Sequence, residues 1–527
     1  MKKLTAILLC AALALSLLVL PAAAMGEREQ VIWNDVLEKN LSDSGAKDVQ
    51  SWIDTALAGD AGTGAEWYIM ALLASGEEYD YSAYVAALEK YVHETEESSA
   101  ATRQKLALMF LMCGAHSDYI EKVSDSTVGG LGLMSWVFGL HLANNGVEMT
   151  PGKDEIVDTL LSMQFEDGGW AVTGDKGDPD ATSMVLQAFS PMKDDPKVAA
   201  AIEPALSFLS EKQLPCGGYV SFGMECPDSI AQVMIALAAL DIDAFTDERF
   251  IKDGNMLDAL EQFRLPDGTF AHSKGGKYNA LSTLESFAAL AAYDKQQRGE
   301  GSLYIAKGAP TREAADVLAE VEAAKGVQLD KRTVLCIAVG VIALATCAIL
   351  FAKGKRHWKN FAFVLGAAAA AIYLIFSVRI EKTEDYYGTS AKADGKSVTA
   401  TISIRCDKVA GERDFLPEDG WILPTTEITL NEGSTAFDQL VAAAKQYGIH
   451  IDKEESKISS AYMKGIANLY EYDFGELSGW MYCVNGDYAD VGCGEYELHE
   501  GDVVEWRYTL ELGRDIGDDY YLGETAD

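Results

Sequence analysis

Positive charge is scarce in this chain. Against 81 Asp and Glu there are 43 Lys and Arg, so the formal net charge is −38 over 527 residues. No basic stripe is visible, which excludes nucleic acid as a partner, and an acidic surface of this kind also repels anionic lipid headgroups. Charge of either sign is missing from two runs, 333–352 and 360–378. Each is about 20 residues, the length that crosses a bilayer. The loop between them, 353–359, is short and carries Lys353, Lys355, Arg356 and Lys359, which reads as cytoplasmic. Lys2 and Lys3, the apolar stretch 4–20 and the small residues 21–24 have the form of an export signal. These features predict a multi-pass cell-membrane protein, with the bilayer as partner through two helices and both large domains extracellular.

A length of 527 residues exceeds one ordinary core, so two or three domains are expected. What is abundant is a repeated loop followed by an apolar helix. The first copy runs Gln164-Phe165-Glu166-Asp167-Gly168-Gly169-Trp170 and leads to Asp180-Ala181-Thr182. The second runs Gln213-Leu214-Pro215-Cys216-Gly217-Gly218-Tyr219 and leads to Asp228-Ser229-Ile230. The third runs Leu265-Pro266-Asp267-Gly268-Thr269-Phe270 and leads to Asn279-Ala280-Leu281. A spacing of about 50 residues signals a repeat architecture. Asp180, Asp228 and Asn279 stand where helix N-caps belong.

The pattern predicts six helix pairs closing into an α/α barrel. Outer helices are expected at 46–57, 83–91, 119–123, 154–163, 197–211 and 256–263. Inner helices, richer in Ala and more apolar, are expected at 65–73, 102–112, 131–143, 181–189, 230–240 and 280–292. A solvated stalk follows at 299–332. After the second apolar run, 379–396 reads as a linker. Residues 397–512 then have an α+β order: a strand at 397–404, another at 426–430, a helix at 437–446 opened by Thr435 and Asp438, a hairpin at 479–487 turning on Asn485-Gly486, and a strand at 502–508. That order suggests a β-grasp-like module, closed by an acidic tail at 513–527.

Gln164-x-x-x-Gly168-Gly169-Trp170 and Asp178-x-Asp180-x-Thr182 resemble the α/α-toroid superfamily of terpenoid cyclases, protein prenyltransferase β-subunits and cobalamin carriers. The resemblance covers roughly 46–293. Residues 401–406, 478–486 and 492–506 are similar to the transcobalamin-type C-terminal domain of bacterial surface proteins. The domains are therefore expected to be a toroid at 25–298 and a transcobalamin-like domain at 397–512. The pair implies a binding protein that grips a corrinoid, or a similar large and partly apolar molecule, between barrel mouth and small domain. A membrane transporter is a further implied partner, and no cofactor is required.

The expected ligand-binding residues are Trp170, Asp180, Tyr219, Asp228, Phe270, His272, Tyr278 and Asn279 at the mouth, with Trp480, Tyr482 and Asn485 on the small domain. Each has a plainer alternative. Asp180 serves equally as a helix cap, His272 as an exposed loop residue, and Trp480 as part of an ordinary strand face. Cyclases of the superfamily protonate their substrates with an Asp-x-Asp-Asp-Thr motif. Here Ala181 replaces the second carboxylate, so an exported cyclase with Asp180 as general acid is the secondary reading. A surface adhesion or scaffold module is the third. Prenyltransferases bind zinc through Asp, Cys and His. Cys216 and Cys226 lie in the corresponding region, but no His follows on the next helix, so no metal is expected. Those two cysteines are read as bridged or free alike, and Cys406 with Cys493 is the candidate disulfide of the small domain.

Overall fold

A computed structural model describes residues 25–95, 99–125, 128–129, 132–221, 224–325, 331–355, 357–377, 396–454, 461–475, 477–489 and 491–518. The export signal, the linker at 379–395 and the end of the acidic tail lie outside the described residues. The chain divides into two compact units, 1–319 with 395–527, and 320–394.

In the larger unit, six inner helices follow one another in the chain: α1 (Glu66–Ala74), α2 (Ala100–Met112), α3 (Gly132–Asn144), α4 (Pro179–Phe189), α5 (Pro227–Ala239) and α6 (Ala280–Gln297). Each packs against its successor and α6 packs back on α1, which closes a ring. Burial explains the composition. Every residue of α5 is buried, so no polar stripe is needed. The helices outside the ring bury one face only. Lys153–Ser162 covers Ile156, Val157 and Leu160 and leaves its acidic face to water. The first helix among the described residues, Glu27–Ser44, lies outside the expected pairs because it is polar over most of its length. Only Ile32, Trp33 and Val36 are buried in it, and Trp33 stacks on Phe287 of α6 at 3.8 Å.

The three repeated loops have one hydrogen-bond pattern. Phe165 N donates to Gly169 O at 2.9 Å, Leu214 N to Gly218 O at 2.9 Å and Leu265 N to Thr269 O at 2.7 Å. Gly168, Gly217 and Gly268 return the bond with φ of 91°, 94° and 88°, a region that disfavours any side chain. Gln164 and Gln213 each close their loop by donating to the glycine carbonyl and to a second carbonyl, of Ala201 and Phe250.

The start of the expected stalk belongs to this fold. Leu303, Tyr304, Ala314 and Val317 are buried, Arg312–Glu313 pairs in parallel with Ala115–His116, and Tyr304 stacks on His141 at 4.1 Å.

The C-terminal domain is a five-stranded mixed sheet in the order 487–488, 479–484, 503–509, 397–405, 421–431. Its central pair, 503–509 with 397–405, is parallel and the other neighbours are antiparallel. Helix Ala436–Tyr447 packs on the sheet and starts with a reciprocal Thr435–Asp438 capping box. A smaller sheet joins 451–454, 462–466 and 469–470.

The smaller unit contains helices Lys331–Ala352 and Trp358–Ser377, packed on each other. Crossing about 30 Å of hydrocarbon takes about 20 predominantly apolar residues. In the sequence, Lys331 and Arg332 occupy the first turn of one helix and Lys359 that of the other. Among the described residues no helix is long and apolar enough to cross a membrane. The two-span fold reading is overturned. So are its consequences: the membrane anchor, the bilayer as partner and the multi-pass location. What stands is a mostly helical chain of more than one domain.

Candidate functional site

Proline sets the site. Pro179 and Pro227 occupy the first turn of α4 and α5, where a missing N–H costs nothing. The N-caps are therefore Asp178 and Cys226, one position ahead of each proline. Asp178 accepts from Asp180 N at 2.9 Å and Ala181 N at 3.0 Å. Asp180 and Asp228 are thus not the caps that the repeat suggests. They sit inside the first turn, with their carboxyls released from capping. Asn279 does cap α6, accepting from Ser282 N at 2.9 Å.

These helix starts surround a cavity of about 560 Å³ at the mouth of the ring. Its apolar wall is formed by Trp67, Met134, Val172, Met184 and Leu281, and its polar wall by Asp178, Asp180, Cys226, Asp228, His272 and Glu285. Ala489 and Val491 of the C-terminal domain complete the lining. A second hollow of about 290 Å³ shares Met134 and Val172 with it and is lined by Tyr462, Trp480, Met481 and Leu512. The main cavity is thus a cleft between the ring and the small domain, and the smaller hollow adjoins it at Met134 and Val172. A separate hollow of about 620 Å³, lined by Asn40, Trp52, Tyr68 and Tyr278, contains none of these carboxylates.

The cleft crowds acids. Burial, and then the charges of Asp178 and Asp228, push Asp180 up to about 8. Burial, and then the charges of Asp228 and Asp180, hold Glu285 well above the usual carboxylate range. Asp178 is raised by burial, against the hydrogen bond that it accepts from Ser221 Oγ at 2.6 Å. At neutral pH the floor therefore offers the protonated carboxyl of Asp180, which donates as well as accepts. Gln232 donates to Glu285 at 3.2 Å and receives a bond from Gln187 at 3.0 Å.

Asp228 Oδ2 lies 2.8 Å from His272 Nδ1 and accepts from Ser282 Oγ at 2.8 Å. Cys226 Sγ lies 3.2 Å from Ser229 Oγ, and burial pushes its thiol up. Ligand atoms of Cys226, Asp228 and His272 all lie within 4.8 Å of one another. Glu89, His93 and Asp118 form a second such group, with His93 and Asp118 exposed.

The remaining expected residues are placed elsewhere. Trp170, Tyr219 and Phe270 are fully buried beneath their loops, and Trp170 Nε1 donates to Leu160 O at 2.7 Å. Tyr278 lines the separate hollow. Trp480 lines the smaller hollow and donates to Leu469 O at 2.8 Å. Tyr482 stacks on Trp506 at 5.3 Å and donates to Val491 O, bracing a cleft residue from behind. Asn485 holds its turn, donating to Asp502 at 2.8 Å and accepting from Val503 N. Cys406 and Cys493 are unbridged. Cys406 sits in a cluster with Val409, Leu416, Leu469 and Tyr508, whereas Cys493 donates to Ala461 O. Cys216 and Cys226 are also free. Sequence reasoning missed Asp178, Glu285, Ser221 and Met184. The prolines at 179 and 227 were the available signal for the first of these.

Residues 433–509 match the family described as a domain of unknown function (DUF4430), a small part of the chain. No curated protein matches. Among solved structures, the chain has a distant structural similarity to haptocorrin in complex with Cbi. Identity is 12%, the TM-score is 0.34, and the match covers 92% of this chain and 99% of that one. A TM-score this low transfers neither fold detail nor ligand.

Proposed function

We propose that the cleft between the toroid mouth and the C-terminal domain binds a partly apolar small molecule. The observation that carries this reading is the composition of the cavity wall: helix starts from the ring on one side, Ala489 and Val491 on the other. A volume of about 560 Å³ falls within the range of about 300–1,000 Å³ typical of ligand sites. The apolar wall suits a hydrophobic body. The protonated carboxyl of Asp180 suits amide or hydroxyl groups at its edge. A corrinoid, the guest implied by the resemblance of the two domains, has both, and it would need the adjoining hollow as well as the main cavity.

The test is calorimetric titration of the full chain with cobinamide and cobalamin, followed by a panel of smaller amide-bearing apolar compounds. Binding at micromolar concentration or tighter, lost in Met184→Trp, supports the reading. No heat from any of them, with a folded protein, removes it. A second reading has one observation behind it. Asp180 is held protonated near neutrality, as a general acid for an alkene or epoxide must be. Turnover of an isoprenoid that disappears in Asp180→Asn would favour that reading over simple binding.

A further inference from the structure

We propose that the separate hollow of about 620 Å³ is a second binding site, built for a short saccharide. It shares no lining residue with the cleft. Its walls come from four places in the chain: the end of helix Glu27–Ser44, the turn Ile53–Leu57, the start of α1 and the start of α6. The volume falls within the range typical of small-molecule sites. Ile53–Leu57 is a π-helical turn, a rare geometry that recurs at functional sites, and its Thr55 and Ala56 line the hollow.

Aromatic rings and hydrogen-bond acceptors define the guest. Trp52 and Tyr68 meet edge to face at 5.1 Å in the buried wall. Tyr278, 51% exposed, stands at the rim, where the face of its ring is available for stacking. Ser44 Oγ donates to Asn40 O at 2.7 Å, Thr63 Oγ1 to Asp60 O at 3.1 Å and Thr55 Oγ1 to Ser51 O. With those protons directed at backbone carbonyls, the three hydroxyls present lone pairs, as do the carboxylates of Asp43 and Asp60. A wall of acceptors beside aromatic faces suits a guest with many O–H donors and apolar C–H faces, which is the chemistry of a sugar ring. An organic cation also suits acceptors and aromatic faces. The pairing of Lys39 with Asp43 disfavours it, because one of the two carboxylates is already neutralised.

The test is saturation-transfer NMR of the full chain with cellobiose, maltose and chitobiose, and with choline and spermidine as cationic controls. At least one saccharide should bind, with its affinity read by titration. Tyr278→Ala should weaken that affinity about three- to tenfold, whereas Tyr278→Phe, which keeps the ring, should leave it nearly unchanged. Thr55→Trp puts bulk into the hollow from an exposed position and should abolish binding. Both positions are exposed, so these variants should fold. Met184→Trp, which fills the cleft, should leave saccharide binding intact, so failure of the cleft reading and failure of this one are told apart. No saccharide signal from the folded chain overturns the proposal, as does binding of choline or spermidine alone. Equal affinity in wild type, Tyr278→Ala and Thr55→Trp, or loss of binding in Met184→Trp, places the saccharide elsewhere and overturns it as well.

Discussion

Asn279 Nδ2 donates to Glu495 Oε2 at 3.3 Å, so the cap of α6 also touches the C-terminal domain. Two residues earlier, Lys277 Nζ lies 3.2 Å from Glu497. Both contacts are exposed, and pairs of this kind contribute about 0–1 kcal/mol. They set the approach of the small domain to the mouth more than they hold the fold together. Glu497→Lys should therefore leave the melting temperature within a degree or two, measured by scanning calorimetry. If the cleft binds a guest, the same change should speed its release, and added salt should narrow the difference from wild type. A large fall in melting temperature would show that these contacts are structural instead.

The repeated loops make a sharper prediction about stability. Gly217 has φ of 94°, and a Cβ there would lie 2.2 Å from Asn255 O. Gly146 has a similar φ of 85° with nothing within 4 Å. Gly146→Ala should cost about 1 kcal/mol from backbone strain alone, and Gly217→Ala distinctly more, because backbone atoms must also move. Urea unfolding of the two variants ranks them. Equal costs would contradict the role assigned to close approach.

Trp170 is the most conspicuous residue of the repeat, and its side chain lies in the core. It is 0% exposed, bonded to Leu160 O, and edge-on to Phe189 at 5.9 Å. Trp170→Ala should lower stability by about 3–5 kcal/mol. Trp170→Phe should retain most of the packing and lose one hydrogen bond, about 1 kcal/mol. Denaturant midpoints decide this. A Trp170→Ala protein of normal stability would place the residue in the cleft after all.

Local chemistry was legible in the sequence where it acts locally. The Asn485-Gly486 turn has φ of 58° and 95°, as a two-residue hairpin demands, and Thr435 with Asp438 closes its capping box. Two of the helix caps lie two residues earlier than expected, because Asp180 and Asp228 look like caps. Pro179 and Pro227 move the cap back to Asp178 and Cys226 and turn the two acids toward the cavity. No local rule shows that Trp170, Tyr219 and Phe270 point down into the core while Met184 and Glu285 point into the cleft. Nor does periodicity reveal that Val491 stands against a cavity formed by Asp180, because that contact depends on how two domains meet. His272 was expected at the mouth, but with no named partner. Space, rather than sequence order, brings it to Asp228.

Asp180 links this crowding to pH. Its carboxyl titrates near 8 in the folded chain against 3.8 when free. Below about 4 it is protonated in both states and contributes nothing to the balance. Between about 4 and 8 the unfolded chain loses the proton first, so unfolding releases it and stability falls as pH rises. Above about 8 both states are ionised and the slope vanishes. Asp180→Asn removes this titration. The variant should match wild type near pH 4, gain on it steadily through neutrality and hold a constant lead above about pH 8. Guanidinium unfolding at a series of pH values measures the gap directly. Glu285, also raised, adds to the wild-type slope and remains in the variant, so the slope should shrink without disappearing. Parallel curves for the two proteins would mean that Asp180 is ionised at neutral pH, and that the cavity floor accepts hydrogen bonds without donating one there.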